Sequence, residues 1–224
     1  MTDDLILHFA PDNASLCVRL LLAEMDLPYQ AVLVDRATQA QRSAAYLKIN
    51  PNGLIPTLVT PNGPIYETAA ILLWLADQAP GRVFPAPDDA QRGTALSQLM
   101  WLSNTLHPAM RMLFYPEKYM PDDPVGLRTS TQQRLVTLFA QLDNRWDAVS
   151  NPVLACYLAP ILRWSALYGE DTSWFDLSKL PALLSFSKTF EIRPKALEVC
   201  ALEGLGPTAF SDPDLPNPPI GSAT

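Results

Sequence analysis

The sequence predicts an α/β domain followed by an all-α domain. Three observations predict it. A strand–helix–strand pattern opens the chain. A Pro- and Gly-dense stretch, Ala79-Pro80-Gly81-Arg82-Val83-Phe84-Pro85-Ala86-Pro87, then breaks all periodicity. Beyond it, apolar residues recur only at helical spacing. The expected boundaries are an α/β domain over 1–79, a linker over 80–87, a helical domain over 88–206 and a Pro-rich tail over 207–224.

Leu5-Ile6-Leu7-His8-Phe9 reads as a buried first strand. Ala10-Pro11-Asp12-Asn13 turns, and Ser15 can cap a helix carrying Leu16, Val18, Leu20, Leu22, Ala23 and Met25. Leu27-Pro28 ends it, and Tyr29 to Val34 is a second strand. Strand, helix, strand is the start of a parallel unit with a right-handed crossover. Gln39 to Leu47 reads as a short helix. Asn50-Pro51-Asn52-Gly53 are turn formers that deliver Thr57-Leu58-Val59 as a strand. Pro61-Asn62-Gly63-Pro64 turns, Ile65-Tyr66 return, and Thr68 to Ala76 is a helix.

In the helical half, Asp89 to Tyr119 carries Leu96, Leu99, Met100, Leu102, Leu106, Met110, Leu113 and Phe114, with Pro108 expected to bend or interrupt it. Val125 to Val149 is a second long helix, with Leu135, Leu138, Phe139, Leu142 and Trp146. Val153 to Tyr168 is a third, with a kink expected at Pro160. Leu180 to Thr189 and Arg193 to Leu202 are shorter. The tail, with Pro213, Pro216, Pro218 and Pro219, is expected to make no regular structure, either as an ordered strap or as a disordered end.

Composition narrows the function. Hydrophobic residues make up 48% and charged residues 17% of the 224, enough to bury a core. The 22 prolines dictate short elements. A net charge of −7 with no basic run argues against nucleic acid. No apolar stretch is long enough to span a membrane, and the acidic Met1-Thr2-Asp3-Asp4 is expected to be neither a signal nor a transit peptide. Cys17, Cys156 and Cys200 have no metal-ligand or redox spacing, so no metal site is expected and a reduced cytoplasmic setting is.

One stretch points to a ligand. Pro56 pushes Ile55 towards extended geometry, which leaves the Ile55 N–H and C=O able to pair with an extended peptide, as in strand addition. A cis Ile55–Pro56 bond would strengthen that reading. The first turn of the helix at Thr68 offers free N–H groups to a carboxylate, and Glu67 suits an ammonium. The stretch could therefore hold a small zwitterionic peptide. The alternative is a plain hairpin with a capped helix.

Asn50-Pro51-Asn52-Gly53-Leu54-Ile55-Pro56-Thr57-Leu58 resembles the "NP-x-G-x-(V/I)-P-x-L" segment of cytosolic glutathione S-transferases. Tyr66-Glu67-Thr68 to Leu75-Ala76-Asp77 resembles that family's "(E)(S/T)-x-x-I-x-x-(Y/W)-L" helix. The resemblance covers residues 5 to 200. It implies a thioredoxin-like N-terminal domain, a helical C-terminal domain and usually a homodimer. It also implies glutathione as co-substrate, with Leu54, Ile55 and Pro56 along its backbone and Glu67 and Thr68 at its γ-glutamyl end.

Phe9-Ala10-Pro11-Asp12-Asn13-Ala14-Ser15-Leu16 resembles the bacterial beta-class segment "Y-S-P-x-x-C-S-L". The family tyrosine is Phe9 here and the family cysteine is Ala14, which counts against thiol exchange. The matching serine remains as Ser15. Conjugation needs a thiolate, and a donor near the sulfur lowers the thiol pKa. Ser15 is the first candidate donor, or else a plain helix cap, and Asn13 is the second. Asn104-Thr105-Leu106-His107-Pro108 resembles the beta-class "x-E-L-H-K" stretch, so His107 could donate to the sulfur or to a leaving group, or be a core or solvated histidine. A small apolar electrophile would sit among Phe9, Met110, Leu113, Phe114 and Tyr115, the last four of which are helix residues that could instead be core. Val153 to Pro160 runs straight through where the family has a Gly-containing turn and capping box, which predicts lower stability or a different local solution.

Three functions follow: a glutathione S-transferase acting on a small hydrophobic electrophile; a glutathione-binding or protein-interaction module with little transferase activity; and a glutathione-dependent reductase or peroxidase, against which Ala14 counts.

Overall fold

The computed structural model describes residues 5–145 and 151–222. Four strands, β1 (Ile6–Phe9), β2 (Gln30–Leu33), β3 (Thr57–Thr60) and β4 (Gly63–Tyr66), form one sheet in the order β2-β1-β3-β4. β1 pairs parallel with β2, Ile6 opposite Gln30, and antiparallel with β3, Leu7 opposite Leu58. β3 and β4 form a hairpin with Thr57 opposite Tyr66. Ten α-helices accompany them among the described residues: α1 (Ser15–Glu24), α2 (Ala44–Leu47), α3 (Thr68–Asp77), α4 (Arg92–Trp101), α5 (His107–Phe114), α6 (Pro116–Tyr119), α7 (Pro124–Asp143), α8 (Pro152–Leu167), α9 (Pro181–Glu191) and α10 (Pro194–Glu203). This is the expected thioredoxin-like α/β unit followed by a helical half.

The apolar run of α1 is its reason for being central. Leu16, Cys17, Val18, Leu20, Leu21 and Leu22 are all buried, because α1 packs against α3, α8 and α10. One hydrophobic cluster runs from the sheet through α1 into α5, α7 and α8. Between α3 and α4, Val83 and Phe84 are buried, and Arg92 ties that segment down by donating to the Pro85 carbonyl at 2.6 Å.

Four local outcomes differ from expectation or refine it. Ala14 occupies the cap position of α1 with no side-chain bond, so Ser15 begins the helix and does not cap it. Pro108 does not break its helix: a π-helical turn over Leu102–Leu106 joins α4 to α5, and the wider turn accommodates the residue that has no N–H to give. α8 does have a side-chain cap, since Asn151 accepts the Leu154 N–H at 3.5 Å with Pro152 in the first helical position. That is the local solution replacing the missing capping box. The tail over 207–222 has no regular structure, yet Ala209 and Phe210 are buried and it is an ordered strap across α8 and α10. Residues 146–149 of the expected second helix, Trp146 among them, lie outside the described residues.

Candidate functional site

The loop before β3 is fixed by a small polar core. Asn50 donates to the Leu54 carbonyl at 2.8 Å and to Thr57 Oγ1 at 3.2 Å, and accepts the Asn52 N–H at 3.1 Å. The Tyr46 hydroxyl donates to the same Leu54 carbonyl at 2.7 Å. Gly53 stands at φ +60, and a Cβ there would lie 3.0 Å from the Gln41 carbonyl, so the turn needs glycine. These bonds draw the Leu54 carbonyl inward while its side chain stays exposed. The Ile55–Pro56 peptide is cis, Pro56 is buried and Ile55 is half-buried. Among the described residues none bonds to the Ile55 N–H or C=O.

The hairpin register brings the second half of the site alongside. Thr57 lies opposite Tyr66, so residues 55–56 and 67–68 flank one end of the hairpin. Glu67 is the cap residue of α3 at φ +72, ψ +118, a conformation few side-chain-bearing residues adopt. Its carboxylate is exposed and bonded only loosely, by Asn52 Nδ2 at 3.4 Å. Thr68 is buried at the first turn of α3, whose N–H groups precede the first helical bond, Ile71 to Glu67. Leu54, Ile55, Pro56, Glu67 and Thr68 are therefore brought together.

The turn after β1 supplies the third side. Ser15 is 0% exposed. Its hydroxyl donates to the Ala10 carbonyl at 2.9 Å and accepts the Ala10 N–H at 3.2 Å. Its one proton is spent on the protein's own backbone, which is not where a thiol donor has to be. Asn13 differs: it is half-buried, its Oδ1 is buried with no hydrogen-bond partner, and its amide bonds to no described residue. An unpartnered buried polar atom calls for an explanation. Asp12, next to Asn13, is buried at φ +46, and its carboxylate takes Arg163 Nε, Trp164 Nε1 and the Tyr168 hydroxyl.

The helical half reaches the same region through α5. His107 Nδ1 lies 3.0 Å from the Tyr157 hydroxyl, and its ring lies 5.8 Å from those of Tyr157 and Trp164. Burial, with a further push from Arg111, lowers the His107 pKa to about 4, so the ring is neutral near pH 7. Burial holds the Tyr157 phenol well above its ordinary value, so it stays protonated. The residues expected to line an apolar pocket divide. Phe9, Met110 and Leu113 are buried in the hydrophobic core cluster. Phe114 and Tyr115 stay half-buried: Phe114 packs edge-on against Tyr168, and Tyr115 accepts a bond from Arg36 at 3.2 Å.

Asp12, Tyr157 and Arg163 were not singled out from the sequence. One signal was available for Arg163, a lone charge in the apolar run Ile161-Leu162-Arg163-Trp164, since a buried arginine requires a partner. Among the described residues no group of acidic, cysteine or histidine side chains could hold a metal ion, and no helix is long and apolar enough to cross a membrane.

Comparison with known proteins agrees with this geometry. The family described as glutathione S-transferase, N-terminal domain, matches residues 14–78. The glutathione S-transferase GST-4.5 of Xanthomonas campestris is 31% identical over 189 residues, 80% of this chain and 89% of that protein. A sphingomonad glutathione S-transferase, solved with glutathione, is 27% identical with a TM-score of 0.76, over 90% of this chain and 100% of that one. The beta-class enzyme of Sphingomonas chungbukensis is 26% identical with a TM-score of 0.75, over 89% of this chain and 98% of that one.

Proposed function

The chain belongs to the glutathione S-transferase family, and on that premise we propose that it binds glutathione along Ile55 and adds its thiolate to a small electrophile. The observation that carries this reading is the unpartnered Ile55 backbone beside the exposed Glu67 and the first turn of α3. The Ile55 N–H and C=O pair with the cysteinyl backbone of glutathione. The α3 N-terminus receives the γ-glutamyl carboxylate, and Glu67 receives its ammonium.

The sulfur then lies towards the turn after β1. A thiol with a pKa of about 8.5 is mostly protonated at neutral pH, and a hydrogen bond to the charged form lowers that value. Asn13 is the donor that the geometry favours over Ser15, because the Ser15 proton already goes to Ala10. His107 is neutral and held by Tyr157, which suits it to bonding a leaving group and not to carrying charge. Phe114, Tyr115 and Tyr168 are the aromatic side against which an acceptor packs. A homodimer in the cytoplasm is part of the same reading, and light scattering tests its size.

Calorimetric titration with glutathione tests the site. Wild type binds, and Glu67→Ala weakens binding by tenfold or more, on the order of a lost charge-assisted bond. Absence of wild-type binding at millimolar glutathione overturns the reading. Binding without ultraviolet thiolate absorbance leaves a glutathione-binding module with little transferase activity.

A further inference from the structure

We propose that Arg163 and the strap over 207–222 are positioning elements of the thiol site, holding the turn that carries Asn13 from behind and from its rim. The proposal rests on the reading of that turn as the one facing the glutathione sulfur.

Asp12 is the point of attachment. It stands beside Asn13 in a left-handed conformation that residues with a side chain avoid. The groups that hold it come from the far half of the chain. Arg163 Nε lies 2.9 and 3.0 Å from its two carboxylate oxygens, and Trp164 Nε1 lies 2.9 Å from one of them. Tyr168 donates to the other. The Asp12 N–H donates to Glu203 at 2.8 Å, and Glu203 is paired with Arg19 at 3.1 Å. The Asp12–Arg163 pair has no exposure on either side chain.

Arg163 has donors left over, and the strap takes them. Nη1 donates to the Ala209 carbonyl at 3.1 Å and Nη2 to the Asp214 carbonyl at 2.9 Å. One planar guanidinium therefore ties the turn and the strap together, with a fork geometry that a lysine lacks. The strap is itself pinned. Glu191 accepts the N–H groups of Phe210 and Ser211 and the Ser211 hydroxyl. Asn217 donates to the Gly204 carbonyl at 2.8 Å. The far end of the strap then reaches the turn directly: a Cβ on Gly221 would lie 2.7 Å from Leu33 Cδ1 and 3.2 Å from Pro11 Cδ. The turn over 10–13 is thus gripped through Arg163 at Asp12 and flanked by the strap at Pro11.

A hydrogen bond to a sulfur weakens steeply as its angle and length drift. Loosening either grip lets Asn13 drift while Ile55 and Glu67, on a separate loop and helix, stay in place. A purely architectural role for the ion pair would lower stability and leave the bound thiol unchanged.

Two full-length variants separate these roles. Arg163→Lys keeps the charge and loses the fork. Gly221→Val drives side-chain atoms into Leu33 and Pro11 and strains a left-handed position (φ +76) at the exposed end of the strap, leaving the Asp12 and Arg163 side chains themselves unchanged. Each is titrated calorimetrically with glutathione, and the bound thiolate is followed by ultraviolet absorbance against pH. The expected result is a glutathione Kd within about twofold of wild type and a thiolate midpoint raised by roughly one pH unit, hence about tenfold less thiolate below the midpoint. kcat should fall with the KM for glutathione unchanged. Wild-type midpoints in both folded variants overturn the proposal and leave the transferase reading standing. No bound thiolate in wild type overturns both. If Arg163→Lys does not fold, Gly221→Val decides, because it acts at the exposed end of the strap.

Discussion

The Ser15 hydroxyl and the Ala10 backbone satisfy each other, the hydroxyl donating to the carbonyl at 2.9 Å and accepting the N–H at 3.2 Å. Ser15→Ala strands both backbone groups in a buried turn, which costs about 1–3 kcal/mol. Denaturant unfolding should show that loss while the thiolate titration of bound glutathione stays at its wild-type midpoint. Asn13→Ala should do the reverse, with little change in stability and most of the thiolate absorbance gone. A thiolate lost in Ser15→Ala and kept in Asn13→Ala would return the donor role to Ser15.

Glu203 introduces a pH dependence of the opposite sign to most carboxylates. Burial pushes its carboxyl up to about 7, although Arg19 and the Asp12 N–H pull it down. A folded value above the ordinary 4.5 means that the native state binds the proton more tightly. The stabilisation is complete below about 4.5 and is lost as pH rises through about 7. Glu203→Gln keeps an acceptor for the Asp12 N–H and does not titrate. Relative to wild type, its unfolding midpoint in urea should therefore rise between those two pH values. Parallel curves for the two proteins would show that Glu203 is ionised throughout.

What was legible in the sequence follows from range. Asn50, Gly53 and Pro56 act on the chain within a few residues of themselves, so the Ile55 edge and the α3 terminus could be read from turn chemistry alone. The Asp12–Arg163 pair joins residues 151 positions apart, and nothing local at Pro11-Asp12-Asn13 announces it. Phe9, Met110 and Leu113 carry the same apolar pattern whether they face a core or a cleft. Only packing separates the two, and packing put these three inside.

His107 titrates in the other direction. Burial lowers its pKa to about 4, below the ordinary 6.5, so protonation favours the unfolded chain. Its contribution is fully present above about 6.5 and is lost as pH falls through about 4. Between about 4.5 and 6.5 it opposes Glu203, and the wild-type stability curve should be flatter than that of either variant. His107→Gln should remove the acid-side loss, leaving stability that declines steadily as pH rises. An unchanged profile would place the ring in free exchange with solvent.

The rim of the acceptor side carries a charge pattern unlike the chain as a whole, whose net charge is −7. Three cations from separate elements meet at Tyr115. Arg36 donates to its hydroxyl at 3.2 Å, Lys118 Nζ lies 4.1 Å from the ring centre and the Arg111 guanidinium 5.8 Å from it. Asp35 and Glu117 are their neighbours in sequence, yet among the described residues Arg111 and Lys118 form no ion pair. Arg111 also lies close enough to His107 to depress its pKa, so on the proposed reading its charge stands beside the leaving group. An acceptor with its own carboxylate should gain from this rim. Exposed pairs of this kind contribute about 0.2–1 kcal/mol, up to roughly fivefold in turnover each. A chlorodinitrobenzoate should therefore exceed the chlorodinitrobenzene lacking its carboxylate in kcat/KM, after correction for their uncatalysed rates. Arg111→Met should erase most of the difference, and added salt should reduce it in wild type. Equal discrimination in wild type and Arg111→Met would show that the cations serve only to hold Tyr115.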